Sequence, residues 1–105
     1  MAEAVGVLEV YGLATAFVAA DAGCKAANVR IEPFDSTKPA QDEDDLQVPL
    51  WVTVKFRGSV ADVTEAIEAG VQAADQMAGV VRHYVIPNPT EGTEKMLKFS
   101  GLDKE

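Results

Sequence analysis

Apolar residues in this 105-residue chain repeat with two different periods, and the periods alternate in a set order. Val5, Val7, Leu8 and Val10 form a short strand-like segment that ends near Gly12. From Leu13 to Ala27 the spacing turns helical. Leu13, Ala16, Phe17, Ala20, Cys24 and Ala27 fall on one stripe and are expected to face the core. The opposite side carries Val18, Ala19, Ala22 and Ala26 where a lone monomer would place longer charged residues, which suggests cover by a second subunit. Asn28 to Ile31 begins a second strand, and Pro33 and then Pro39 are expected to end regular pairing. A third strand spans Leu50 to Phe56, with Leu50, Val52, Val54 and Phe56 on its apolar face. Ser59 is placed to cap a second helix, with Asp62 near its N-terminus. The expected buried stripe of that helix is Val60, Val63, Ile67, Val71, Ala74 and Met77, and Gly79 ends it. Val81 to Ile86 reads as a fourth strand. After Pro87-Asn88-Pro89, Thr90 or Gly92 leads into a short tail helix around Glu94 to Leu97.

The order is therefore βαββαβ plus a C-terminal helix. Two right-handed crossovers interleave into an α+β, ferredoxin-like arrangement: a four-stranded antiparallel sheet backed by two helices. The length fits one core, and no linker divides it. The expected organisation is a single domain over 3–97, an extended loop at 35–49 and a tail at 98–105.

Charge and cysteine content exclude several functions. The formal net charge of -8 opposes nucleic-acid binding and docking on an anionic membrane. No apolar run is long enough to span a bilayer, and Met1-Ala2-Glu3-Ala4 lacks the basic start of a secretory signal. One cysteine, Cys24, permits no disulfide within these residues, in keeping with a reducing compartment. No pairing of nucleophile with base and no metal-ligand spacing stands out, so no catalytic residue, metal or cofactor is expected.

Five separated motifs resemble the hexagonal shell-protein family of bacterial microcompartments, built on a single BMC domain. The segment from Glu3 to Leu13 is similar to the family's opening strand. Lys25-Ala26-Ala27-Asn28-Val29, Arg57-Gly58-Ser59-Val60, Ala69-Gly70 and His83-Tyr84-Val85-Ile86-Pro87-Asn88-Pro89 follow in the family's order. The likeness covers Glu3 to Leu97 except the stretch between Glu32 and Pro49.

The resemblance implies a structural protein and not an enzyme: a cyclic homohexamer that tiles into sheets and carries a central pore for small metabolites. It implies a place in the microcompartment shell in the bacterial cytoplasm. Implied partners are the chain itself, other shell proteins and the encapsulated enzymes. By resemblance, Lys25 and Asn28 lie at the hexamer edge. So does the residue between the two prolines, usually Arg and here Asn88, which lacks the charge and planar donor head.

The family's pore loop corresponds to 35–49, about ten residues longer than usual and without glycine. Asp35, Ser36, Thr37, Lys38, Asp42, Glu43, Asp44 and Asp45 are the pore-region residues that the resemblance implies. Six copies of the acidic run near one axis would repel anions and concentrate cations. A solvated loop is the competing reading. The spacing does not match a calcium loop.

Cys24 is expected to be a small buried helix residue, and His83 a strand-surface or packing residue. Trp51 is expected to anchor the return of the long loop or a subunit contact. Met77, Met96 and Phe99 are read as packing residues. A nitrogen-regulator-like trimer that senses small molecules is the alternative, because it shares the fold and a long loop between strands two and three.

Overall fold

The computed structural model describes residues 3–37 and 50–98. The order is β1 (Ala4–Tyr11), α1 (Leu13–Ala26), β2 (Arg30–Thr37), β3 (Trp51–Gly58), α2 (Val60–Asp75), β4 (Val80–Ile86) and α3 (Glu91–Leu97). The strands form one antiparallel sheet in the order β2-β3-β1-β4. This is the ferredoxin-like arrangement expected from the alternating periods.

The core lies between one sheet face and the two long helices. Gly6, Leu8 and Val10 of β1 sit opposite Phe56, Val54 and Val52 of β3. Leu8, Val10, Val52, Val54 and Phe56 are all fully buried. Each such side chain contributes about 1.5–3 kcal/mol through removal from water. Helix α1 lies over the β2–β3 side and α2 over the β1–β4 side.

The two helices meet through their smallest residues, and this rearranges the expected faces. A Cβ at Gly23 would overlap the Phe56 ring and lie 3.0 Å from the Ala66 carbonyl. A Cβ at Gly70 would come within 2.8 Å of Leu8 Cδ2 and 3.3 Å of the Ala19 carbonyl. Helix α1 accordingly buries Thr15, Ala16, Ala19, Ala20 and Gly23. Ala16 and Ala20 fall inside as expected, while Leu13, Phe17 and Cys24 face outward. In α2, Val63, Ile67 and Ala74 are buried with Ala66 and Gly70, but Val60 and Met77 are exposed. Large residues would hold the helices apart, so the closest packing selects alanine and glycine and turns the bulkier residues outward.

Pro33 does not end β2. The strand continues to Thr37, with a register shift between Glu32 and Asp35. β2 is an edge strand, where proline needs no ladder partner for its missing N–H, and the bulge absorbs the irregularity. Asp35, Ser36 and Thr37 therefore belong to the strand and not to a loop, opposite Thr53, Val52 and Trp51. Ser59 caps α2 as expected, its hydroxyl accepting the Asp62 N–H at 3.1 Å. Gly79, with φ of 104°, makes the turn into β4 that a side chain would strain.

Candidate functional site

Strand register sorts the candidate residues onto two opposite ends of the sheet. One end is defined by Ala4 opposite Gly58, Val5 opposite Ile86 and Arg30 opposite Arg57. The other has Tyr11 and Thr37 opposite Trp51, and Val10 opposite Val80. The eight residues of β1 separate these ends by roughly 25 Å at strand rise.

Lys25, Asn28 and Asn88 share the first end. Lys25 is in the last turn of α1, strongly exposed, with its ammonium 2.8 Å from Asp21 Oδ2. The hydrogen bond and the charge of Asp21 raise the Lys25 pKa. Asn28 is exposed, and its backbone N–H donates to Asp62 Oδ1 at 3.4 Å. Its carbonyl lies against Gly58 at the end of β3. Asn88 follows Ile86 by two residues and is exposed, while the next residue, Pro89, is buried. A cavity of about 410 Å³ opens at this end, lined by residues including Glu3, Asn28, Arg30, Arg57 and Asp62.

The β2–β3 connection leaves from the opposite end. Thr37 and Trp51 bracket it. The Leu50 carbonyl accepts the Gly12 N–H at 2.7 Å, which ties its return to the start of α1. Trp51 packs edge-to-face on Tyr11, with centroids 6.4 Å apart, and Arg82 stands 5.9 Å from its ring centroid. Each such contact contributes about 0.5–1.5 kcal/mol. Among the pore-region candidates, Asp35 accepts the Ser36 N–H at 3.0 Å. Lys38, Asp42, Glu43, Asp44 and Asp45 lie outside the described residues, as does Phe99. Among the described residues no cluster of three or more His, Cys, Asp or Glu has metal-ligand geometry.

The flanks of the sheet also differ. On the α1–β2 flank, Leu13, Phe17, Val18 and Ile31 are exposed, and Phe17 packs edge-to-face on buried Phe34. On the α2–β4 flank, Ile67, Glu68, Val71, Gln72 and His83 line a cavity of about 290 Å³. Cys24, expected inside, is exposed on α1. Partial burial and the nearby Asp21 charge raise its thiol pKa, so it is not an activated nucleophile.

Sequence reasoning missed the second face of the sheet. Lys55 and Arg57 alternate with core residues on β3, so they read as solvent-facing, yet they are only 3% and 5% exposed. Helix α3 meets both. Arg57 Nη2 donates to both Glu94 carboxylate oxygens at 2.8 and 3.1 Å, and Lys55 Nζ donates to the Leu97 carbonyl at 2.9 Å. Glu3 and Glu32 approach Arg57 Nε only to 3.8 and 3.9 Å, and its buried Nε and Nη1 find no hydrogen-bond partner among the described residues. Desolvation lowers the Lys55 pKa, against the pull of Asp35 and Glu32. Met96, expected to pack, is exposed. No simple spacing rule links Glu94 to β3, so only the fold reveals these contacts.

Together these features define a ferredoxin-like α+β domain with two differentiated ends and two unlike flanks. Residues 4–89 match the BMC domain family, and the chain belongs to that family. It is 36% identical to the carboxysome shell protein CcmK3 of Halothece sp., covering 99% of this chain and 94% of that protein. It is 37% identical to the bacterial microcompartment shell protein PduA of Salmonella typhimurium, over 90% of each. Against PduK of Citrobacter freundii it is 38% identical, over 88% of this chain but 53% of that longer protein. A solved structure of a microcompartment protein from Desulfitobacterium hafniense superposes with a TM-score of 0.71 at 25% identity, covering 90% of this chain and 48% of that one.

Proposed function

We propose that this chain is a structural wall protein of a bacterial microcompartment, assembling as a cyclic homohexamer that tiles into sheets with other shell proteins of the same compartment. The observation that carries this reading is the near full-length likeness to a carboxysome shell protein, over 99% of this chain. The unlike flanks support a ring. An apolar flank on α1 and β2 and a cavity on α2 and β4 suit a head-to-tail contact between copies, which closes when the rotation permits.

In this arrangement the β2–β3 end faces the axis and the Lys25–Asn28–Asn88 end faces the neighbouring hexamer. Lys25 and Asn28 supply the edge contact, and Asn88 supplies a shorter, uncharged one. Asp35, Ser36, Thr37, Lys38, Asp42, Glu43, Asp44 and Asp45 border the pore, where repeated carboxylates favour cations over anions. Passage is passive and set by width, hydrogen-bonding groups and field. The shell sits in the bacterial cytoplasm around its enzymes; no helix of the described residues is long and apolar enough to cross a membrane. Native mass spectrometry tests the ring: six copies are expected, and a stable monomer or a nucleotide-binding trimer would overturn it.

A further inference from the structure

The two flanks of the sheet match each other in position as well as in chemistry. Phe17 is 60% exposed, the most of any large apolar side chain on α1, and it rests on buried Phe34. Phe34 sits in β2 between the pairs Glu32–Lys55 and Asp35–Thr53. Lys55 and Thr53 pair in turn with Val7 and Glu9, so Phe34 and the Phe17 ring above it lie level with Leu8. On the opposite flank Leu8 pairs with His83, which lines the cavity with Ile67, Glu68, Val71 and Gln72. The protruding ring and the cavity are therefore at one level along the strands. They are also on one side of the sheet, the side that α1 and α2 cover. Rotational symmetry makes this match informative. Groups that touch across a closed ring share one distance from the axis and one height above the ring plane. In the ring proposed above the strands run outward from the axis, so equal level along them means equal distance.

We propose that Phe17 of one copy fills the α2–β4 cavity of the next, against Val71 and His83, and is the anchor that closes the ring. This contact rests on the ring proposed above and names the side chain that makes it. Ile67 and Val71 supply an apolar floor, and Glu68, Gln72 and His83 a polar rim. A cavity of about 290 Å³ built in this way suits a single aromatic side chain, the kind of centrally buried anchor on which interfaces depend. Charge selects this pairing over the two symmetric ones. Helix α2 holds no basic residue, and Glu65 and Glu68 are exposed on it. Two α2 flanks face to face would set these carboxylates against each other. Two α1 flanks face to face would leave both cavities empty. From Leu13 to Ala20 α1 carries no charge, so the head-to-tail contact brings an uncharged surface to the cavity.

Thiol linking between separate chains tests the contact while Phe17 stays in place. Two variants are made on a Cys24→Ser background: Leu13→Cys, one turn from Phe17, and Gln72→Cys, on the cavity rim. They are co-expressed in equal amounts and treated with a short bismaleimide. Each chain then holds one thiol, so any linked product joins two copies. The mixture is expected to give a two-chain band on a denaturing gel, and each variant alone is expected to give none. Phe17→Glu added to both chains puts a carboxylate beside Glu68 and is expected to remove the band and the hexamer. Met96→Glu, at a position 65% exposed on α3, is the control and is expected to leave both. Amide exchange across β1 checks that each variant keeps its fold. A native chain that is not hexameric by mass spectrometry sinks the ring itself, before any linking. A hexamer whose mixture gives no band, or whose Leu13→Cys chains link to one another, keeps the ring and overturns this contact. A band and hexamer that survive Phe17→Glu overturn the anchor role of Phe17.

Discussion

Replacing Gly23 with alanine puts a methyl group where α1 and α2 leave no space. The added Cβ would overlap the fully buried Phe56 ring and press on the Ala66 carbonyl, which is helix backbone. Neither can yield locally, so either the helices separate or the ring leaves its rotamer. Overpacking of this kind costs about 1–3 kcal/mol. A clash with an enclosed ring and with backbone falls in the upper half of that range, about 2–3 kcal/mol. Alanine returns about 1 kcal/mol of helix propensity, leaving a net loss of about 1–2 kcal/mol. For a domain of this size that lowers the melting temperature by roughly 5–15 °C. The measurement is urea unfolding at one fixed protomer concentration, because association adds stability by mass action. Gly92→Ala is the matched comparison: its Cβ meets nothing within 4 Å, so propensity alone acts and stability should hold or rise. If Gly23→Ala behaved like Gly92→Ala, the account of helix packing through small residues would be wrong.

Two further predictions concern charge. Lys25→Ala should leave hexamers intact in native mass spectrometry but abolish extended sheets in electron micrographs; unchanged sheets would remove Lys25 from the edge. Glu3 titrates below its ordinary 4.5, chiefly because Arg30 hydrogen-bonds its carboxylate. Its stabilising effect is thus complete above pH 4.5 and is lost as pH falls through the lowered value. The gap in urea midpoint between native chain and Glu3→Gln should be larger at pH 6 than at pH 3, and a constant gap would refute the assignment.

The element order was legible because each segment keeps one apolar period. Val52, Val54 and Phe56 reached the core as their alternation requires. The orientation of α1 was not legible from hydrophobicity, which weights Leu13 and Phe17 above Ala19 and Gly23. Closeness of approach, and not side-chain size, decided that face. Pro33 misled for a similar reason: its effect depends on whether the strand lies at an edge, which is a property of the sheet and not of the local sequence. Lys25, Asn28 and Asn88 were legible as motif members, and the fold brings all three to one end. Lys55 and Arg57 were illegible as buried groups because their cover arrives from residues about forty positions later.

The separation of the two ends of the sheet has an evolutionary consequence. The β2–β3 connection leaves the domain through Thr37 and Trp51, one strand length from Lys25 and Asn28. It thus behaves as an insertion port, where chain can be added or exchanged without moving the residues at the far end. In the assembly proposed above, one lattice could then host tiles of different apertures, and a designer could graft new segments between residues 38 and 49 while keeping the far-end residues unchanged.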